Sequence, residues 1–154
     1  VTTVARVSLL SACCLVVVVS SAAAQSAGIR GGLSQNPNQV FAGLQLESSP
    51  FRRGVTVRPV VEAGTGDRME TVVGSLDIIF RPSASPAVWT VYLGGGPTAN
   101  AYWTKVGSMR ERDFGFGGNV LLGFEHESRT FAELKVAFGD GPHMKLVVGF
   151  AFGG

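Results

Sequence analysis

His143-Met-Lys-Leu-Val-Val-Gly-Phe-Ala-Phe152 decides the fold. Met144, Leu146, Val148, Phe150 and Phe152 recur at every second position, and Lys145, Gly149 and Ala151 fall between them. Side chains alternate across a strand, so this period of two sets an entirely apolar face against one that is small or charged. A strand of about ten residues with that pattern and terminal aromatics suits the wall of a transmembrane β-barrel.

The same pattern recurs upstream. Asp140-Gly-Pro142 reads as a turn, and Arg129 to Gly139 sets Leu134, Val136 and Phe138 against Glu133 and Lys135. Asp113 to His126 sets Phe114, Phe116, Val120, Leu122 and Phe124 against Gly115, Gly117, Asn119, Gly123 and Glu125. Ala87 to Gly94 places Trp89, Val91 and Leu93 opposite Thr90 and Tyr92. Glu70 to Arg81 opposes Val72, Leu76, Ile78 and Phe80 to Thr71, Ser75, Asp77 and Arg81. Gly54 to Glu62 and Gln39 to Glu47 alternate likewise, and Ala27 to Ser34 is the weakest stretch. Turn clusters at Gln35-Asn-Pro-Asn38, Ser48-Ser-Pro50, Gly64-Thr-Gly-Asp67 and Pro82 to Pro86 separate them. Gly95 to Arg112 reads as one longer irregular stretch. The total is eight strands, an even number as a bacterial barrel requires. Helix competes poorly, because no 3.6-residue period persists for three turns and the glycines disfavour it. Pro59 fits a central strand badly and points to a bulge or an unpaired backbone position.

The 154-residue chain reads as one domain behind a leader. Arg6 precedes an apolar run through Cys13-Cys-Leu-Val-Val-Val-Val19, and Ser20-Ser-Ala-Ala-Ala24 offers the small residues of a cleavage site. Residues 1–24 are therefore expected to be a cleaved secretory signal, and 25–154 the barrel domain. Both cysteines leave with the signal, so no disulfide or thiol ligand is expected in the remainder. The formal charge of +2 falls to about +1 without Arg6, and interleaved signs give no electrostatic case for nucleic acid.

Alternation alone does not say which face points inward. In a soluble barrel the apolar set fills the core, and in a membrane barrel it faces lipid. Eight inward sets of bulky side chains would crowd a bore of this strand number. The polar face is rich in glycine, which leaves room for long side chains. Aromatic residues Phe80, Trp89, Tyr92, Phe114, Phe124, Phe138, Phe150 and Phe152 cluster near strand ends, as interfacial girdles do. The membrane orientation is therefore expected. Arg30, Gln45, Glu47, Arg58, Glu62, Asp77, Arg81, Asn119, Glu125, Glu133 and Lys135 then line the lumen. Buried charges of both signs should pair, for instance Arg58 with Asp77, or Lys135 with Glu62 or Glu125. A lumen so filled leaves no open channel.

Phe131-Ala-Glu-Leu-Lys-Val-Ala-Phe-Gly-Asp-Gly-Pro-His-Met-Lys-Leu-Val-Val-Gly-Phe150 resembles the closing hairpin of small outer-membrane barrels of the opacity and porin-like group, related to the OmpA transmembrane domain. Val91-Tyr-Leu-Gly-Gly-Gly-Pro-Thr-Ala-Asn100 resembles that group's glycine-rich fifth strand, and the likeness extends over Val57-Arg-Pro-Val-Val-Glu62. The resemblance implies a closed, eight-stranded, antiparallel up-and-down transmembrane barrel in the outer membrane of a Gram-negative bacterium. It implies both chain ends in the periplasm and longer loops outside. Outer-membrane lipid and lipopolysaccharide, periplasmic chaperones and the barrel-assembly machinery are the implied partners, with a monomer expected. Such members end on an aromatic residue, whereas two glycines follow Phe152 here.

Candidate chemistry is sparse. His126-Glu-Ser128 superficially resembles the His-x-Ser pair of lipid A deacylase barrels, but it lies at a strand junction expected to face the periplasm and reads as turn chemistry. His143 and Asp140 border a turn, and no His, Asp and Glu cluster has metal spacing. Gly94-Gly-Gly-Pro97 lacks the lysine and following helix of a phosphate loop, and suits a twist or bulge at the barrel rim. Tyr102, Trp103, Lys105, Arg110 and Arg112, in the stretch from Ala99 to Arg112, could contact a partner or lipopolysaccharide phosphates, although an exposed loop with rim aromatics is the plainer reading. No catalytic centre, cofactor or metal is expected. The expected function is a structural or interaction barrel with a packed polar lumen. The alternatives are a soluble periplasmic barrel binding a small apolar ligand, and a minor pore or adhesin acting through residues 96–112.

Overall fold

The computed structural model describes residues 24–66, 68–82, 88–106 and 109–153. Eight antiparallel strands follow one another: β1 (Ala24–Gln35), β2 (Gln39–Ser48), β3 (Val55–Gly66), β4 (Met69–Phe80), β5 (Trp89–Val106), β6 (Met109–His126), β7 (Thr130–Gly139) and β8 (Met144–Phe152). Each pairs with its neighbours in sequence, and β8 closes on β1. The seam runs from Ala27–Phe152 to Gln35–Met144, so both ends of the described chain lie at one rim. Closure leaves the main body of the sheet without an unpaired edge. The signal segment expected at residues 1–24 lies, except for Ala24, outside the described residues.

The period of two is realised as expected. Leu134, Val136, Leu146 and Val148 point outward with 38–55% of their surface exposed, whereas Glu133 and Lys135 are buried at 1% and 5%. Ile29, Leu44, Leu76, Ile78, Leu93, Val120 and Leu122 continue the outward apolar belt around the cylinder. This overturns the alternative of a soluble barrel with its apolar face lining a cavity. The interior is not wholly polar, however. Phe41, Phe131 and Val147 form one buried cluster, and Ile79, Tyr92 and Leu121 form another. Tyr92 is thus a lumen residue with no exposed surface, and its place in an interfacial girdle is corrected.

The largest departure concerns the stretch from Gly95 to Arg112, expected to be irregular. β5 and β6 pair without interruption from Trp89–His126 to Val106–Met109, forming a ribbon that rises at the rim opposite the chain ends. Gly94-Gly-Gly-Pro97 accordingly lies within a strand rather than at a rim. The β4–β5 ladder is interrupted there, between Ser75–Thr98 and Ile78–Gly95. An alanine at Gly96 would place its Cβ 1.9 Å from the Leu76 carbonyl oxygen, so the strand can pass only as glycine. Pro59 lies where the β2–β3 ladder ends, one residue beyond the Gln45–Val60 pair. Its missing N–H therefore breaks no bond to β2.

The connections at the ribbon rim are short, running through Asn36-Pro-Asn38 and Asp140-Gly-Pro-His143. The resemblance implies longer loops at the rim opposite the chain ends, and there the described chain extends strands β5 and β6 instead. At the other rim β2 and β3 are joined through Ser49 to Gly54, and β6 and β7 through Glu127 to Arg129. Arg129 takes a positive φ of 68° there and donates its backbone N–H to the His126 carbonyl at 2.8 Å.

Candidate functional site

The charged residues cross the barrel like spokes. Arg58 on β3 donates to Glu133 on β7, and its Nε and Nη2 reach Glu47 at 3.0 and 2.9 Å. Arg30 on β1 donates to the other Glu133 oxygen at 2.5 Å and to Gln45 at 2.8 Å. Its Nε stands 2.9 Å from Glu62, near enough for ionic attraction although the N–H is not aligned on the oxygen. The Tyr92 hydroxyl donates to Glu133 at 2.7 Å. Glu133 therefore collects two guanidinium groups and a phenol, as a fully buried carboxylate must to remain ionised.

Two further groups flank this centre. Toward the ribbon, Lys145 bonds Glu62 at 2.5 Å, and Asp77 accepts from Lys135 at 2.6 Å and Asn119 at 2.8 Å. Toward the chain ends, Arg81 joins Glu47 at 2.5 Å to Glu125 at 3.1 Å, and Thr56 caps Glu47 at 2.7 Å. Aromatic rings fill the spaces between. Arg58 and Arg81 each lie 5.2 Å from the Tyr92 ring centroid, and Lys145 lies 4.9 Å from that of Phe41.

Glycines make these rings fit. A Cβ on Gly123 would fall 2.2 Å from the Tyr92 ring, and one on Gly149 would fall 2.3 Å from the Phe131 ring. The glycine-rich polar face is thus a set of notches cut for inward aromatics.

Arg30, Arg58, Glu62, Asp77, Arg81, Glu125, Glu133 and Lys135 all face the lumen and all take part in ion pairs. The partners differ from those expected. Arg58 and Asp77 are register neighbours on β3 and β4, but the long arginine extends across the bore to β7 while Asp77 takes Lys135. Lys135 makes its ion pair with Asp77 rather than with Glu62 or Glu125. Lys145 and Tyr92 complete the network without having been named as lumen residues, though alternation already places both on the polar face.

A cavity of about 270 Å³, lined by Glu47, Arg58, Arg81, Glu125 and Phe131 among others, opens at the chain-end rim. A pocket of about 20 Å³ beside Asn119, Lys135 and Lys145 lies toward the ribbon. Between them the Arg30 and Glu133 side chains have no surface open to solvent.

His126 belongs to the β6–β7 turn. Its Nδ1 is 2.8 Å from the Ser128 hydroxyl and also accepts the Ser128 backbone N–H at 3.1 Å, while Trp89 packs edge-on against the ring. A ring nitrogen engaged by its own turn is a local cap. Among the described residues no group of three or more His, Cys, Asp or Glu is placed to hold a metal ion. On the ribbon, alternation divides the residues expected to act together. Tyr102 faces the upper vestibule beside Asp113 and Asp140, while Trp103 and Arg112 meet on the outer face. Lys105 is exposed, and the Arg110 side chain lies outside the described residues.

No protein-family model matches the chain, and no curated protein matches its sequence. A solved structure does. The N-terminal β-barrel domain of Pseudomonas aeruginosa OprF is similar with a TM-score of 0.66 at 15% sequence identity, over 84% of this chain and 98% of that one. The similarity is one of fold, an eight-stranded closed antiparallel barrel.

Proposed function

We propose that this barrel resides in the outer membrane of a Gram-negative cell as a structural or interaction protein, without a catalytic centre and with a lumen closed to solutes. The observation that carries the reading is the inversion of its faces. A closed cylinder exposes Leu, Ile, Val and Phe along every strand, and its buried centre is ionic. Water would not tolerate that belt, whereas acyl chains do, and closed barrels satisfy every backbone group inside a bilayer. Outward Phe80, Trp89, Phe124 and Phe152 near one rim and Trp103, Phe114 and Phe138 toward the other suit two interfacial girdles. Surrounding lipid, lipopolysaccharide, periplasmic chaperones and the assembly machinery are the partners such a protein requires.

Fractionation tests the location, with the protein expected in detergent-extractable envelope and with heat-modifiable mobility on a denaturing gel. Release into the soluble fraction at high salt would refute it. Planar-bilayer recording tests the closed lumen, with no large steady conductance expected. A stable pore of porin size would refute that part alone.

A further inference from the structure

The outer face of the β5–β6 ribbon orders its chemistry by height. The registers stack Gly74–Ala99–Phe116, then Val72–Ala101–Phe114, then Glu70–Trp103–Arg112, and finally Lys105–Arg110. The Arg68 carbonyl accepts the Lys105 N–H at 3.2 Å, bringing a further basic residue beside the last row. The lowest rows are apolar, with Phe116 and Phe114 exposed at 75% and 60%. The third is amphipathic and the top is basic. That is the order met on leaving a bilayer: acyl chain, interface, phosphate.

We infer that this face binds the phosphate groups of a phosphorylated glycolipid in the outer leaflet, with Arg112 and Lys105 as ligands and Trp103 and Phe114 as the platform beneath them. The inference rests on the outer-membrane reading and names the lipid partner within it. Arg112 lies 5.5 Å from the Trp103 ring centroid and 5.7 Å from that of Phe114. A guanidinium attracted to aromatic rings still has five N–H donors in a planar fork suited to a bidentate phosphate. Neither Lys105 nor Arg112 forms an ion pair with a carboxylate among the described residues. Glu70 is the acidic residue of these rows, against Arg68, Lys105, Arg110 and Arg112. The turns Asn36-Pro-Asn38 and Asp140-Gly-Pro-His143 at this rim contain no lysine or arginine, so its basic residues gather on the ribbon and at the adjoining Arg68.

The test uses the full-length barrel folded in detergent micelles, titrated with bisphosphorylated lipid A and, separately, with the same lipid stripped of its phosphates. Trp89→Phe leaves Trp103 as the single tryptophan, so its emission reports binding at the ribbon. The phosphorylated lipid is expected to bind more tightly, and Lys105→Ser with Arg112→Ser to weaken it by roughly 10- to 30-fold. Arg52→Ser with Arg53→Ser, at the opposite rim, is expected to leave binding unchanged. Heat-modifiable mobility establishes that each variant is folded. Equal binding of both lipids by a chain that inserts into vesicles would overturn this inference alone, as would unchanged affinity in the ribbon variant. A chain that never inserts would overturn it together with the outer-membrane reading.

Discussion

Replacing Glu133 with glutamine isolates the contribution of the ionic centre. Among the described residues, five lumen cations (Arg30, Arg58, Arg81, Lys135 and Lys145) form ion pairs with five anions (Glu47, Glu62, Asp77, Glu125 and Glu133). Glu133→Gln preserves shape and an acceptor for the Tyr92 hydroxyl, but leaves one positive charge without its counterpart. Removing one member of a buried pair costs about 3–5 kcal/mol. Arg58 keeps Glu47 and Arg30 keeps Glu62, so the lower end, about 3 kcal/mol, is expected. Arg58→Met removes the matching charge while filling similar space. The double variant should therefore be less destabilised than the two single variants combined, by at least about 1 kcal/mol. Urea titration in phospholipid vesicles, with the folded fraction read from the fast-migrating gel band, measures all four corners of the cycle. Additivity within about 0.5 kcal/mol, or a Glu133→Gln shift smaller than that, would show that the centre is not electrostatically coupled.

Other substitutions probe the faces and the notches. Val136→Arg, on the outward belt, should cost about 2–4 kcal/mol at bilayer depth and depress the yield of vesicle insertion; undiminished insertion would contradict the assignment of faces. Gly123→Ala should drive Tyr92 from its bond to Glu133 and destabilise the barrel by about 1–3 kcal/mol in the same titration, with Gly118→Ala, which meets only a carbonyl oxygen at 3.6 Å, as the mild comparison.

The architecture was legible because one signal dominates it. Alternation in Leu134, Val136, Leu146 and Val148 against Glu133, Lys135 and Lys145 sets both strand and face, and any one-residue slip would reverse them. The ribbon was not legible, because Gly94-Gly-Gly-Pro97 and the mixed sequence to Arg112 carry no apolar period. There the strands are held by cross-strand pairing that continues from the barrel wall. Lumen membership of Arg58, Asp77 and Lys135 followed from alternation, but their pairing did not. Partners such as Arg58 and Glu133 meet across the bore, and their encounter depends on stagger and side-chain length rather than on strand adjacency. Tyr92 was misread because an aromatic near a strand end has two readings. The discriminating clue is the opposed Gly123, whose missing side chain marks where a ring must enter.

The spokes also constrain the order of assembly. Arg58 to Glu133, Lys145 to Glu62 and Lys135 to Asp77 join strands that are not neighbours on the wall, over 58 to 83 residues of chain. A β7–β8 hairpin alone would hold Lys135 and Lys145 as direct register partners, away from Asp77 on β4 and Glu62 on β3. Those two lysines and Arg58 reach these partners only once β3 and β4 are brought round to face β7 and β8. In the proposed outer-membrane setting, insertion and sealing of the seam are therefore expected to proceed as one event, so that each half of the electrolyte enters already facing the other.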